Sequence, residues 1–72
     1  MEVGKKLKEL RFESGLIQKE VAENIGISRQ RYSHYETGIR NVDLIMLTKL
    51  ASFYGVSTDY LLGQSELRRG SL

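Results

Sequence analysis

The sequence contains no cysteine and a single histidine, His34. Without cysteine, neither disulfides nor thiolate metal ligands are available, and His34 alone makes a poor metal site. The longest uncharged apolar stretches fall far short of the roughly 20 residues that span a bilayer, and residues 1–13 are charged rather than signal-like. We therefore expect a cytoplasmic protein that binds no metal and does not enter a membrane.

Catalytic patterns are missing as well. The chain has no set of nucleophile, base and orienting residue, and no glycine-rich loop that would cradle a phosphate, so we expect neither an enzyme nor a cofactor. Its 72 residues allow one small domain, which at this size buries only about 60% of the surface that its unfolded chain exposes. A net charge of +2 permits binding to nucleic acid without requiring it.

Short segments with helical periodicity make up most of the chain. Apolar residues recur at three- and four-residue intervals, and glycines at positions 15, 26, 38, 55 and 63 separate the segments. The sequence has no strand-like alternation and no internal repeat. It therefore predicts an all-α, compact five-helix domain over residues 1–63, with helices at about Glu2–Ser14, Gln18–Ile25, Arg29–Thr37, Leu44–Tyr54 and Thr58–Leu62.

Polar residues mark where three of these helices begin. Ser28, Asp43 and Ser57 can each accept a hydrogen bond from a first-turn amide, worth about 1 kcal/mol, whereas Ile17 before the second helix cannot. Residues 64–72 form a short polar C-terminal tail that we expect to be disordered. In the fourth helix, the periodicity predicts an inward face made of Leu44, Leu47, Leu50, Ala51 and Tyr54.

The most informative stretch is QKEVAENIGISRQRYSHYETG, residues 18–38. Val21 and Ile25 recur at helical spacing, Gly26 ends that helix, and Tyr32 and Tyr35 continue the apolar stripe in the next one. Between positions 28 and 41 there are three arginines and one histidine against a single acid. An amphipathic helix, a glycine turn and a basic second helix are typical of a helix-turn-helix that presents its second helix to DNA.

This stretch resembles the Cro and phage-repressor type of helix-turn-helix domain, the Xre family. Ala22 stands where the family has a small residue and Gly26 where it has the turn glycine. The downstream segments YETGIRNVD and LTKLASFYGVSTDYLLG resemble the family's closing half, so that the likeness covers about residues 3–63. Val42 departs from it where a proline is common, and Ile17 where a threonine or serine often caps the helix. The resemblance implies a lambda-repressor-like fold with the helix-turn-helix at helices 2 and 3.

The resemblance also implies that helix 3 enters the major groove with Arg29, Gln30, Ser33 and His34 at the base edges. Arginine and glutamine suit this role because they form bidentate hydrogen bonds with guanine and adenine respectively. The alternative is an ordinary solvated helix face, and His34 has the further alternative of touching a phosphate. The candidates for contacts to the DNA backbone are Gln18, Ser28, Arg31, Thr37, Arg40 and Asn41. The alternative for the two arginines is a solvated charge, and the alternative for Thr37 and Asn41 is a structural role in the turn after helix 3.

Two further groups of residues imply structural and assembly roles. The family often pairs an arginine late in helix 1 with a glutamate late in helix 3, which here implies a structural ion pair between Arg11 and Glu36; Arg11 can also lean toward a phosphate. Surplus apolar residues around helix 4 suggest a homodimer face or, alternatively, the completion of a small core. They are Ile45, Met46, Phe53, Tyr60 and Leu62.

The function that this resemblance implies is sequence-specific binding of double-stranded DNA by a transcriptional regulator. We expect repression from a palindromic operator bound by a homodimer. The alternative is an antitoxin-like or adaptor module that binds a protein through the same fold. With no ligand-sensing segment apparent, a signal would act through a regulatory protein partner, degradation or the protein's own concentration.

Overall fold

The computed structural model describes residues 2–69, which form five α-helices and no strand. The helices are α1 (Glu2–Ser14), α2 (Gln18–Ile25), α3 (Arg29–Thr37), α4 (Leu44–Tyr54) and α5 (Thr58–Leu61). These bounds confirm the predicted all-α fold and the first four predicted helices. The fifth helix ends one residue earlier than predicted. No helix of residues 2–69 is long and apolar enough to cross a membrane.

Side chains at the helix starts take up first-turn amides as the sequence predicts. Ser28 accepts a hydrogen bond from the Arg31 amide at 3.1 Å, and Asp43 accepts one from the Met46 amide at 2.8 Å. Ile17 offers no acceptor before α2. Instead, the Glu20 carboxylate reaches back to accept from the Ile17 amide at 3.0 Å, which stabilises this helix start from inside its first turn.

Among residues 2–69, the core lies between the five helices and holds fourteen buried apolar residues. Helix α1 packs against α3 and α5, α2 packs against α3, and α4 packs against α5 and α2. The largest fully buried side chains include Tyr32 and Tyr35 of α3, so the helix that carries the candidate site is anchored in the core by two aromatic rings. The full set is Val3, Leu7, Leu10, Val21, Ala22, Ile25, Tyr32, Tyr35, Met46, Leu47, Leu50, Ala51, Tyr60 and Leu61.

The inward face of α4 contains Leu47, Leu50 and Ala51 as predicted, but it differs from the prediction at Leu44. Leu44 is 75% exposed rather than inward, and Met46 is buried in its place at 6% exposure. Leu44 lies in the first turn and about 90° from the centre of the buried stripe, at 100° per residue. Because eight of the eleven residues of α4 are apolar, spacing alone could not fix which of them face the core.

Helices α1 and α3 approach each other closely at Gly4. A Cβ atom at this position would lie 2.5 Å from the carbonyl oxygen of Glu36 and 2.8 Å from that of Tyr35. Both neighbours are backbone atoms, which cannot move aside without separating the helices. Only glycine fits here, and the contact holds the C-terminal half of α3 against the N-terminal half of α1.

Part of the predicted disordered tail contacts the helical domain. The guanidinium of Arg68 donates two hydrogen bonds to the Glu13 carboxylate, at 2.5 and 2.7 Å, and lies 5.4 Å from the centre of the Tyr60 ring. The sequence prediction missed this contact because it joins residues 55 positions apart. Residues 70–72, at the end of the predicted tail, lie outside the described residues, and so does Met1.

Candidate nucleic-acid interface

The outward face of α3 carries the four residues expected to read bases. Arg29 and Gln30 are exposed in its first turn, and Ser33 and His34 are half-buried one turn later. Among residues 2–69, their side chains form no hydrogen bonds. Their donors and acceptors are therefore available to a ligand.

Three of these residues share an open groove with the start of α2. Gln18, Arg29, Gln30 and Ser33 line it together, whereas His34 does not contribute to its wall. The structure thus brings Gln18, a backbone candidate, beside the base-reading candidates, although eleven positions separate it from Arg29 in the chain.

A second groove shares Gln18 and Arg29 with the first. Its other lining residues are Arg11, Ile17 and Lys19, so three cationic residues and no acidic one border it. Such a lining favours an anionic ligand. Sequence reasoning did not select Lys19, whose only signal was its position directly after Gln18 at the start of α2.

Beneath these grooves, Arg11 and Glu36 form a bidentate ion pair. Arg11 Nε donates to Glu36 Oε2 at 2.7 Å, and Arg11 Nη2 donates to Glu36 Oε1 at 3.1 Å. The side chains are 10% and 2% exposed. The third guanidinium nitrogen, Nη1, donates to the Leu16 carbonyl at 3.1 Å. Because the pair joins α1 to α3 and is nearly buried, it fixes the position of the recognition-helix candidate on the domain.

Gln18 is a third member of this network. Its side-chain Nε2 donates to Glu36 Oε1 at 3.1 Å, beside the Arg11 hydrogen bond to the same oxygen. Burial by itself would raise the pKa of Glu36, but hydrogen bonding, above all from Arg11 and then from Tyr32 and Gln18, outweighs it together with the charge of Arg11 and holds that pKa below its ordinary value of 4.5. Glu36 is therefore a carboxylate at neutral pH, able only to accept.

The remaining backbone candidates differ in how firmly they are held. Ser28 uses its hydroxyl as the α3 cap. Arg31 donates from Nε to the Tyr35 hydroxyl at 2.7 Å, and Thr37 donates to the His34 carbonyl at 3.3 Å. Arg40 and Asn41 lie exposed in the loop between α3 and α4. The structure does not bring this loop into the grooves beside Arg29.

Two of the five residues considered for a dimer face belong to the core. Met46 is 6% exposed and Tyr60 is 5% exposed, which matches the alternative that they complete a small core. Tyr60 is further covered by Lys6, whose ammonium lies 4.5 Å from the ring centre. Of the other three, Phe53 is half-buried, Leu62 is 40% exposed and Ile45 is 73% exposed.

Within residues 2–69, no three histidine, aspartate or glutamate side chains are grouped so that they could hold a metal ion. The hydroxyls of the buried Tyr32 and the half-buried Tyr54 are hydrogen-bonded to each other at 2.7 Å. Burial first, and then this bond, raise the pKa of Tyr32, so the pair remains neutral and joins α3 to α4.

A family model described as helix-turn-helix matches residues 7–61, well over half of the chain. The chain belongs to the Xre/Cro-like helix-turn-helix family. In this chain, α2 and α3 are the two helices of the helix-turn-helix motif, and Gly26 lies in the turn between them.

Several curated relatives are transcriptional regulators by name. The HTH-type transcriptional regulator ImmR of Bacillus subtilis is 46% identical over 69 residues, which cover 96% of this chain and 54% of the relative. The cryptic phage CTXphi transcriptional repressor RstR of Vibrio cholerae is 43% identical over 61 residues, covering 85% of this chain and 55% of the relative. The chain therefore spans about half the length of these helix-turn-helix relatives.

A third relative is similar in length to this chain. The control protein C.MunI of Mycoplasma sp is 39% identical over 64 residues, which cover 88% of this chain and 86% of the relative. The similarity thus extends over most of the length of that control protein.

Proposed function

We propose that this chain binds a specific sequence of double-stranded DNA through α3 and thereby regulates transcription. The observation that carries the proposal is the groove shared by Gln18, Arg29, Gln30 and Ser33, whose polar side chains extend from the start of the helix-turn-helix motif to its second helix. The names of the relatives, a regulator and a phage repressor among them, support the same function and favour repression.

In this proposal Arg29 and Gln30 read bases in the major groove. Arginine donates two hydrogen bonds to guanine, and glutamine pairs with adenine; each good bidentate contact discriminates by about 1 to 3 kcal/mol. Ser33 and His34 lie one turn further along the same face and extend the contact. The cationic groove at Arg11, Lys19 and Arg29 supports phosphate contacts that fix the register of α3.

Substitution of the reading residues tests the proposal. Selection of bound sequences from a random duplex library should enrich one motif with the parent chain. Arg29→Ala should relax the preference at one base position and weaken binding to the selected motif by about tenfold or more. Lys5→Ala is the matched control, because it removes one exposed positive charge from α1, outside both grooves. The absence of any enriched motif at moderate salt would refute specific DNA recognition.

The binding species in this proposal is a homodimer on a palindromic operator. Leu44 and Ile45, 75% and 73% exposed at the start of α4, supply the aliphatic surface for self-association, and Leu62, 40% exposed at the end of α5, is a further candidate. Sedimentation should detect dimers at high micromolar concentration and a shift to monomer in Ile45→Asp. A parent chain that sediments only as a monomer in the absence of DNA contradicts self-association.

The same exposed aliphatic residues support the second candidate, an adaptor module that binds a protein partner. The two functions differ in their response to substitution. Loss of DNA preference in Arg29→Ala with partner binding intact supports the DNA function, whereas an Ile45→Asp defect confined to a protein partner supports the adaptor.

A further inference from the structure

We infer that Glu36 is a positioning residue for DNA binding, because it holds the side-chain amide of Gln18 in the orientation needed at the DNA backbone. This inference rests on the proposed function and extends it. Within the Arg11–Glu36 pair, Arg11 lines the cationic groove, whereas Glu36 would otherwise serve only to join α3 to α1. The hydrogen bond from Gln18 connects that buried pair directly to the groove surface.

The chemistry of Glu36 decides which end of the Gln18 amide faces it. An ionised carboxylate accepts hydrogen bonds and donates none, and the pKa of Glu36 is held low by its neighbours. Gln18 must therefore present its NH2 group to Glu36 Oε1. The reversed amide would set two acceptor oxygens against each other, so one of its two orientations is excluded.

The fixed amide keeps hydrogen-bonding capacity for a ligand. An amide nitrogen carries two N–H donors, and within residues 2–69 the Gln18 side chain spends only one of them, on Glu36. The second N–H group remains, at a residue that lines both grooves. A phosphate oxygen accepts such a donor, and a donor that is already oriented loses less rotamer freedom when it binds.

Glu36 is in turn held immobile. Arg11 engages both of its carboxylate oxygens, and Glu36 is 9% exposed. Arg11 itself is tied to the Leu16 carbonyl, two positions before Gln18. The same guanidinium thus holds the carboxylate and the loop that leads into α2, so that Gln18 is oriented through both its side chain and its backbone.

Loss of the Glu36 charge and loss of Gln18 positioning should change DNA affinity in opposite directions, so a substitution of Glu36 can distinguish them. Removal of an acidic residue near a phosphate-binding groove should strengthen DNA binding, because one repulsive charge is lost. If Glu36 positions Gln18, Glu36→Gln should weaken binding instead, because an amide at position 36 can both accept from and donate to Gln18 and so no longer excludes the reversed orientation of the Gln18 amide. Glu23→Gln is the matched control: it removes one acidic charge from the exposed face of α2, and Glu23 lines neither groove.

The experiment is a double-mutant cycle on the dissociation constant for the selected duplex. It is measured at a temperature where circular dichroism shows every variant folded. Gln18→Ala and Glu36→Gln should each weaken binding by about tenfold, the value of one charge-assisted contact, and the double variant should be no weaker than either alone. Binding by Glu36→Gln as tight as that of Glu23→Gln, or losses that multiply in the double variant, would overturn the inference.

A second measurement decides the matter if Glu36→Gln fails to fold. In the parent protein, nuclear magnetic resonance relaxation of the side-chain amides should show Gln18 rigid, and the exposed Gln30 and Gln64 mobile. A Gln18 amide as mobile as that of Gln64 would refute positioning by Glu36. Since this readout needs no DNA, it separates failure of the inference from failure of the proposed function, which would appear as a parent chain without sequence preference.

Discussion

Glu36→Ala should destabilise the domain far more than Glu23→Ala. Both substitutions remove a glutamate from a helix, but Glu23 is exposed, whereas Glu36 accepts three hydrogen bonds with its side chain 2% exposed. Removal of Glu36 leaves Arg11, whose side chain is 10% exposed, without its counter-ion. Loss of one partner from a buried ion pair costs about 3 to 5 kcal/mol.

The lower end of that range applies here. After the substitution, Arg11 keeps its hydrogen bond to the Leu16 carbonyl and its contact with the Phe12 ring, whose centre is 4.8 Å away. A loss of about 3 kcal/mol is a large share of the roughly 4 to 11 kcal/mol expected for a domain of this size. It corresponds to a fall in melting temperature of about 12 °C or more.

The assay is thermal and urea unfolding followed by circular dichroism at neutral pH, on the parent and both variants. Glu23→Ala should remain within about 0.5 kcal/mol of the parent, as substitutions of exposed residues usually do. Equal melting curves for the two variants would refute the reasoning, because they would mean that the Arg11–Glu36 pair contributes no more than an exposed side chain.

Two further predictions concern the same region. Gly4→Ala should lower the free energy of unfolding by about 2 kcal/mol or more, because its Cβ would overlap the Glu36 and Tyr35 carbonyl oxygens and overpacking costs about 1 to 3 kcal/mol even where side chains can yield. Urea unfolding measures this loss, with Glu9→Ala on the exposed side of α1 as the control. An unchanged urea midpoint for Gly4→Ala would contradict the close approach of α1 and α3. Stability should also fall on acidification: the pKa of Glu36 is lowered in the folded state, so its contribution is present above the unfolded value and is lost as the pH falls through the folded value. The urea midpoint of the parent should therefore drop more steeply below about pH 4.5 than that of Glu36→Gln, and parallel curves would show that another carboxylate dominates.

Local sequence signals sufficed for the five helices and for their boundaries, apart from the end of α5. Ser28 and Asp43 act as caps because their side-chain oxygens reach amides only three positions away, and Gly26 ends α2 with a φ of 78°, which suits glycine. Such interactions depend on neighbours in the chain, so the sequence reveals them directly.

Contacts between distant segments were less predictable. The rotation of α4 depends on how α2 and α5 meet it, and the spacing of its residues favoured Leu44 where the packing buries Met46. The hydrogen bond between Gln18 and Glu36 depends on the crossing of α2 and α3. Neither residue type nor spacing predicts that a glutamine assigned to the DNA backbone also binds a buried carboxylate.

The separation between the anchored and the outward sides of α3 has an evolutionary consequence. Tyr32, Tyr35 and Glu36 tie the helix to the core, whereas Arg29 and Gln30 extend from its exposed side without hydrogen bonds to the other described residues. Substitutions at such exposed positions usually change stability by less than about 0.5 kcal/mol. The outward face can therefore diverge rapidly between duplicated copies of the gene, and each copy can acquire a new target while it inherits the same core unchanged.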